Sequence, residues 1–172
     1  VEAFGSAGPA IDAEVLALAA NFLQALGITH YTLELNSVGC PACRPQYRDA
    51  LRTALAGART ALCPDCDRRY DANPLRILDC KVERCRDLSA DVPVILEVLC
   101  DACTAHLRGV EDGLRTLEVP YVINPHIVRG LDYYTRTAFE FIAGGLGAQN
   151  TVLAGGRYDG LVAELGGPPT PA

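Results

Sequence analysis

The chain has 172 residues, of which 49% are hydrophobic and 21% are charged, and its formal net charge is −6. A chain of this size can bury a core in one or two domains. It has no apolar run near the roughly 20 residues that a membrane helix needs, and no basic segment leads into an apolar one at its start. The sequence therefore predicts a cytoplasmic protein without a membrane partner.

The basic residues are concentrated in the middle of the chain. Residues 40–118 contain 12 of the 15 Lys and Arg residues, together with 13 of the 21 Asp and Glu residues. Because phosphate groups of nucleic acids are contacted mainly by Lys and Arg, this segment could bind RNA while the flanking segments bind small molecules. The alternative is a helical surface covered with salt bridges, and charge alone does not separate the two.

The first predicted elements are a helix and a strand. Residues 11–26 carry apolar side chains at helical spacing, and Gly27 follows as a C-terminal stop. Residues 31–36 alternate and are rich in strand formers, which predicts a strand with one buried face. We assign both elements to the first part of a core domain, residues 1–39.

The next segment has a different character, with short helical patterns separated by breaks that contain Cys, Pro and Asn. These patterns predict helices over residues 44–56, 63–70 and about 92–117, with a break at 72–74. We interpret residues 40–118 as a helical, cysteine-rich insertion domain.

Strand character returns after the insertion. Residues 120–123, 137–142 and 151–154 favour strands, and the glycine-rich residues 143–148 are typical of a hairpin connection. Residues 119–172 are therefore the second part of the core domain. The order of helix, strand, helical insertion and strands predicts an α+β fold, in which an antiparallel sheet core is interrupted by an α-helical insertion.

The eight cysteines form four pairs, three of which have the two-residue gap that lets both thiolates reach one metal ion. The pairs are Cys40 with Cys43, Cys63 with Cys66, Cys80 with Cys85, and Cys100 with Cys103. Structural zinc is one interpretation, and reduced thiols buried as small apolar side chains are another. A disulfide framework fits poorly with a cytoplasmic protein. The sequence does not decide which pairs combine.

Three segments carry a resemblance to a known family. In chain order they are Asn73-Pro74-Leu75-Arg76-Ile77-Leu78-Asp79-Cys80-Lys81, Val128-Arg129-Gly130-Leu131-Asp132-Tyr133-Tyr134-Thr135 and Leu153-Ala154-Gly155-Gly156-Arg157-Tyr158-Asp159-Gly160-Leu161. The first resembles the insertion domain of bacterial histidyl-tRNA synthetases. The second closely resembles their histidine-specific signature, and the third looks like their glycine-rich strand and its following helix. The resemblance implies the antiparallel sheet platform of class II synthetases.

The resemblance covers essentially the whole chain, but it does not cover a whole synthetase. It implies a segment between the second and third class motifs. The ATP-binding arginines of those motifs, the dimer-forming first motif and the anticodon-binding domain would lie outside it. The isolated segment is therefore expected to be inactive in aminoacylation.

Arg129 is the residue that the resemblance implies for catalysis, through contacts to the substrate carboxylate and the α-phosphate of ATP. Amino-acid activation forces two anions together, and a guanidinium supplies a permanent positive charge with a planar fork of donors. Without the surrounding motif, a salt bridge to Asp132 or Glu140 would be the ordinary interpretation.

The resemblance also implies a pocket that selects histidine. Glu2 would accept a hydrogen bond from one imidazole nitrogen, Tyr134 would contact the ring on the other side, and Tyr133 would form part of the same pocket. An unpaired buried donor or acceptor costs about 1–3 kcal/mol, so such a site needs matched polar groups. Gly155 and Gly156 would let the backbone approach the ligand, where a Cβ atom would collide.

Substrates and partners follow from the same resemblance: histidine, ATP with Mg²⁺, tRNA(His) and a second copy in a homodimer, with no DNA. In the family the insertion leans over the acceptor stem of the tRNA. The candidate tRNA contacts are the insertion arginines Arg68, Arg69, Arg84 and Arg86.

Two other hypotheses compete with the ligase. One is a histidine-sensing regulatory paralogue of the kind that joins ATP phosphoribosyltransferase, although such paralogues usually lack the insertion and the complete signature. The other is a zinc-bearing RNA-binding fragment without activity, which would ignore histidine and ATP.

Overall fold

The computed structural model describes residues 1–128, 133–144 and 150–172. Its elements are helix α1 (Pro9–Ala25), strand β1 (Tyr31–Ser37), helices α2 (Arg44–Leu55), α3 (Pro64–Ala72), α4 (Glu83–Leu88) and α5 (Asp101–Thr116), strands β2 (Val122–Ile123), β3 (Thr135–Ala143) and β4 (Thr151–Arg157), and helix α6 (Leu161–Glu164). Short 3-10 segments lie at Ala56–Ala61, Pro74–Ile77 and Ile95–Val98. Among the described residues, no helix combines the length and apolar character needed to cross a lipid bilayer.

The four strands form one sheet in the order β2-β1-β3-β4. Strand β3 pairs antiparallel with both β1 and β4, and Leu35 lies opposite Phe139. The short strand β2 is parallel to β1, so the sheet is mixed at this edge. The predicted α+β fold is confirmed. Most of the connection predicted between β3 and β4 lies outside the described residues, since residues 145–149 are not among them.

Helices α1 and α5 pack together against the sheet. Their shared core contains Leu16 of α1, Leu35 of β1, Leu114 of α5 and Phe141 of β3. The two helices approach closely because α5 presents a glycine to α1. A Cβ atom on Gly113 would lie only 2.6 Å from the Cβ of Ala13, so any side chain there would push the helices apart.

The insertion has a separate hydrophobic core. Tyr47 and Leu51 of α2 pack with Ile77, Ile95 and several cysteines. The helices predicted over residues 44–56 and 63–70 are confirmed as α2 and α3.

The single helix predicted over residues 92–117 is wrong. The 3-10 segment Ile95–Val98 ends in extended backbone, and α5 begins only at Asp101. Cys100 is the N-cap of α5, and its backbone N–H donates to the sulfur of Cys43 at 3.2 Å instead of continuing a helix. The break therefore arises from a contact between cysteines distant in sequence.

The position of α5 bears on the domain boundary. Val110 and Leu114 of α5 belong to the core beneath the sheet, whereas Ile95 belongs to the core of the insertion. We therefore propose that the insertion ends near Cys100 and that α5 is part of the core domain, which shortens the insertion expected at residues 40–118.

A buried ion-pair network joins the amino-terminal segment, α1, α5 and β4. The Arg157 side chain is 1% exposed, and its Nε donates to both carboxylate oxygens of Asp12, at 3.2 and 3.3 Å. The Oδ2 atom of Asp12 also lies 2.6 Å from Nε2 of His106. The remaining guanidinium nitrogens donate to Oδ1 of Asp159 at 2.6 Å and to the carbonyl oxygen of Ser6 at 3.0 Å. This network fixes four segments at one point.

We predict that Asp12→Ala lowers the free energy of unfolding by about 3–5 kcal/mol, because it removes the more buried of the two carboxylates paired with a buried guanidinium. The matched control is Asp112→Ala, which breaks an exposed pair with Arg115 on α5 and should cost less than about 1 kcal/mol. Urea unfolding of both variants followed by circular dichroism measures the difference. Equal losses in the two variants would contradict a structural role for the network.

Candidate functional site

A cavity of about 630 Å³ lies between α1 and the part of the sheet formed by β3 and β4. Its wall includes Glu2, Tyr134, Gly155 and Gly156, which are four of the five residues predicted to bind the amino acid. Apolar side chains of α1 and β3 complete the wall. Three segments that are distant in sequence therefore meet around one space.

The fifth residue, Tyr133, belongs to an aromatic group beside this cavity. Its ring centroid lies 4.9 Å from that of Tyr134 and 6.1 Å from that of Tyr158, the latter in an edge-on arrangement. Ring contacts at these distances restrict the orientation of each partner. Tyr133 thus packs against the two phenols that line the cavity.

The two glycines of β4 allow close packing with β3. A Cβ atom on Gly156 would lie 2.5 Å from the carbonyl oxygen of Thr137 and 2.9 Å from Cδ1 of Tyr134. One on Gly155 would lie 2.8 Å from the ring of Phe139. The backbone of β3 therefore requires glycine at Gly156, and a side chain at Gly155 would displace the Phe139 ring. The ring of Tyr134 lies directly against the backbone of β4.

Tyr158 and Glu2 bring a donor and an acceptor to the same end of the cavity. Burial and the nearby Glu2 carboxylate raise the pKa of Tyr158 to about 12, so its hydroxyl keeps its proton at neutral pH. That hydroxyl is buried, and it meets no partner in hydrogen-bond geometry within the described part of the chain. A ligand that both donates and accepts hydrogen bonds would satisfy this pair.

The predicted catalytic residue, Arg129, lies outside the described residues, as do residues 130–132. The segment just before it is held against the sheet. Buried Asn36 donates from Nδ2 to the carbonyl oxygens of Pro125 and Ile127, at 3.1 and 3.0 Å. Ile127 is itself buried against Ala138. The chain therefore enters the predicted signature beside β1 and β3.

The four insertion arginines have different surroundings. Arg68 is exposed and forms an ion pair with Asp65, and Arg69 donates to the carbonyl oxygen of Arg76 at 3.0 Å. Arg84 and Arg86 on α4 are exposed, and neither forms an ion pair within the described residues. The two arginines of α3 therefore have partners within the insertion, whereas the two of α4 form no ion pair among the described residues.

The eight cysteines gather into two groups of four. The root cluster consists of Cys40, Cys43, Cys100 and Cys103, and the inner cluster consists of Cys63, Cys66, Cys80 and Cys85. Within each cluster all four sulfur atoms lie within 4.8 Å of one another. The pairing that the sequence left open is thereby given by the fold.

Backbone hydrogen bonds and burial give the cysteine thiols different pKa values. Burial opposes ionisation of Cys40, but hydrogen bonds from the backbone N–H groups of Cys43 and Ala42 outweigh it and lower the pKa to about 7. The backbone N–H of Cys66 lowers the pKa of Cys63 to about 7, whereas burial raises the pKa of Cys66. Each cluster therefore contains one thiol that ionises near neutral pH.

Asp12 and His106 are structurally important residues that the sequence alone did not predict. Their partners are distant along the chain, since 94 residues separate Asp12 from His106 and 145 separate it from Arg157. No local pattern signals such contacts, and only the packing of α1 against α5 and β4 creates them.

A family model described as histidyl-tRNA synthetase matches residues 71–172 of the chain. Two curated histidine–tRNA ligases, from Trichlorobacter lovleyi and Oleidesulfovibrio alaskensis, are each 53% identical to it, over 170 and 171 residues respectively. Both alignments cover 99% of the chain but only 41% of the relative. The chain therefore spans about two fifths of the length of these relatives.

Solved structures give a parallel result. The apo histidyl-tRNA synthetase of Staphylococcus aureus matches with a TM-score of 0.76 and 36% identity, over 98% of this chain and 41% of that one. A Bacillus halodurans protein described as an ATP phosphoribosyltransferase regulatory subunit/histidyl-tRNA synthetase matches with a TM-score of 0.58 and 19% identity, over 98% and 47% of the two chains. The second likeness concerns the fold alone.

Proposed function

Because the chain belongs to the histidyl-tRNA synthetase family, we propose that it is the part of a histidine–tRNA ligase that selects histidine and activates it with ATP. The observation that carries this proposal is the meeting of Glu2, Tyr134, Gly155 and Gly156 around one cavity. Curated ligases are about half identical to nearly the whole chain, whereas the regulatory-subunit likeness is limited to the fold. The ligase is therefore favoured over the regulatory paralogue.

The pocket is suited to an imidazole ring. Neutral imidazole has one nitrogen that donates a hydrogen bond and one that accepts. The Glu2 carboxylate is an acceptor, and the buried, protonated Tyr158 hydroxyl beside it is a donor. The Tyr134 ring would close the side of the pocket, against the glycine backbone of β4. An apolar side chain of similar size would offer neither group a hydrogen-bond partner, and a buried donor left unpaired costs about 1–3 kcal/mol.

Activation joins the histidine carboxylate to the α-phosphate of ATP and releases pyrophosphate. Two anions must approach each other, so a fixed positive charge stabilises the transition state. We assign that role to Arg129, whose guanidinium stays charged and can bind two oxygens at once. Mg²⁺ enters with ATP and neutralises phosphate charge. Zinc, the other metal that the cysteines suggest, has no step in this chemistry.

The remaining parts of the proposal concern the whole enzyme. The second substrate is tRNA(His), the ligase works as a homodimer, and its compartment is the cytoplasm. In the full-length ligase, the ATP-binding arginines of the second and third class motifs complete the site. The insertion contacts the tRNA through the exposed arginines of α4, Arg84 and Arg86.

We predict that Arg129→Ala in the full-length ligase lowers histidine-dependent ATP–pyrophosphate exchange by roughly 100- to 1,000-fold, because one preorganised charge is lost. The matched control is Arg115→Ala, which removes an exposed arginine of α5 that pairs with its own helix and should leave exchange unchanged. Circular dichroism checks that both variants fold. A loss below tenfold in Arg129→Ala would remove this residue from catalysis.

We also predict that Arg84→Gln combined with Arg86→Gln weakens tRNA binding and reduces its salt dependence. Each lost phosphate contact lowers the slope of log K against log salt by about 0.9 on a duplex. The control is Arg68→Gln with Arg69→Gln, since these side chains already have partners within the insertion. Filter binding at several salt concentrations measures both slopes. Equal slopes in the two double variants would contradict this assignment, and pyrophosphate exchange should survive in both.

A further inference from the structure

We propose that the chain binds two zinc ions, one in each four-cysteine cluster, and that the root cluster ties the two ends of the insertion to the sheet that forms the pocket. The root cluster joins the turn after β1 to the first turn of α5. The inner cluster joins the start of α3 to Cys80 and to Cys85 of α4. The two sites share no ligand.

The sulfur positions suit a tetrahedral ion. Four thiolates at about 2.3 Å from zinc lie about 3.8 Å from one another along the edges of a tetrahedron. The sulfur of Cys40 lies 3.7 Å from that of Cys43 and 3.9 Å from that of Cys100. In the inner cluster, the sulfurs of Cys63 and Cys80 lie 3.9 Å apart. A disulfide needs about 2.05 Å, and all eight cysteines are unpaired.

Backbone donors point at the sulfur atoms, as they do around metal-bound thiolates. The N–H of Cys100 donates to the sulfur of Cys43 at 3.2 Å, and the N–H of Cys63 donates to the sulfur of Cys85 at 3.2 Å. The N–H of Cys66 donates to the sulfur of Cys63 at 3.4 Å. Such hydrogen bonds stabilise a thiolate and orient it. A neutral thiol packed as an apolar side chain gains little from them.

Helix ends add further stabilisation of negative charge. Cys43, Cys63 and Cys100 are the N-cap residues of α2, α3 and α5, which have 12, 9 and 16 residues. The amino end of a helix carries a partial positive charge that favours thiolates. A Zn²⁺ ion with four thiolates has a net charge of −2, so each cluster needs such compensation. Each cluster receives it from at least one helix.

A cross-link would add stability to the insertion. It has about 60 residues, and domains this small are marginal on hydrophobic burial alone. Its helices α2, α3 and α4 are short, and it contains no strand between residues 40 and 100, all of which the structure describes. Three of the nine buried residues in its core are cysteines of the inner cluster. Metal binding and folding of this segment would therefore be coupled.

The root cluster adjoins the strand that follows the predicted signature. Gly39 precedes Cys40 with a φ of +67°, and a Cβ there would lie 2.9 Å from the Cβ of Cys43. Its carbonyl oxygen accepts from the N–H of Arg136 at 2.8 Å, and the Arg136 carbonyl accepts from Val38 at 2.7 Å. Arg136 is two residues beyond Tyr134. An ion in the root cluster would therefore hold the base of the insertion and this end of β3 together.

The test begins with the 172-residue chain, purified under reducing conditions with zinc present. Native mass spectrometry should find two zinc ions, and X-ray absorption should find an all-sulfur shell near 2.3 Å. The double variants Cys40→Ser/Cys100→Ser and Cys63→Ser/Cys80→Ser should each retain one ion, and each serves as the control for the other. Metal-free protein, or two ions retained by either variant, would overturn the proposal.

Hydrogen exchange distinguishes the two sites by location. Loss of the root ion should remove protection from the Arg136 amide, whereas loss of the inner ion should leave that amide protected and expose the insertion core. Protection of Arg136 that is unchanged in the root variant would refute the link to the sheet.

If either variant fails to fold, thiol titration of the unmodified chain tests the proposal. The eight thiols should react slowly until a strong chelator removes both ions. Rapid reaction of all eight thiols without chelator would overturn the proposal.

Discussion

The buried guanidinium of Arg157 is the constraint on which the arrangement of this chain depends. A guanidinium has five N–H donors and cannot lose its charge, so a buried one must be surrounded by acceptors and neutralised. The chain supplies acceptors from the amino-terminal segment, from Asp12 on α1 and from Asp159 beyond β4. Asp12 in turn binds His106 on α5. One charge therefore fixes the relative positions of two helices, a strand and the segment that carries Glu2.

This arrangement explains how the pocket forms from distant parts of the sequence. Arg157 directly follows the two glycines whose backbone packs against β3 and the Tyr134 ring, so the strand that lines the cavity is anchored at its own end. Asp12 is part of the cavity wall as well as the partner of Arg157. A shift of α1 relative to β4 would therefore both break the ion pair and open the pocket.

Local patterns in the sequence predicted most of the secondary structure, since helices and strands follow from the spacing of apolar residues. The helix expected through residue 100 was wrong because a sulfur atom from Cys43 binds the Cys100 amide, a contact across 57 residues. The parallel pairing of β2 with β1 depends on a chain that returns after the whole insertion, and no local signal reports it.

The candidate site, like the fold, could be predicted from the sequence only in part. The two tyrosines and two glycines were predicted because their motifs resemble those of a known family. The cavity brings Tyr134 and the two glycines together with Glu2, and Tyr133 packs against Tyr134 beside it. The ion pair between Asp12 and Arg157 was not predicted, because both residue types are common on surfaces and only burial gives this pair its importance. The sequence also could not predict which cysteine pairs combine, because four pairs can form two clusters in several ways. Only the fold brings particular pairs together.

The central claim is that this pocket selects histidine through hydrogen bonds to its imidazole ring. The most direct test is the pair of Michaelis constants, for histidine and for ATP, in pyrophosphate exchange by the full-length ligase with Glu2→Gln. Loss of the carboxylate charge leaves only a neutral amide oxygen to accept from the ring, so it should raise the constant for histidine by roughly 5- to 150-fold, the equivalent of about 1–3 kcal/mol, and leave that for ATP nearly unchanged. A constant for ATP that rises as much as that for histidine would contradict the assignment of the pocket.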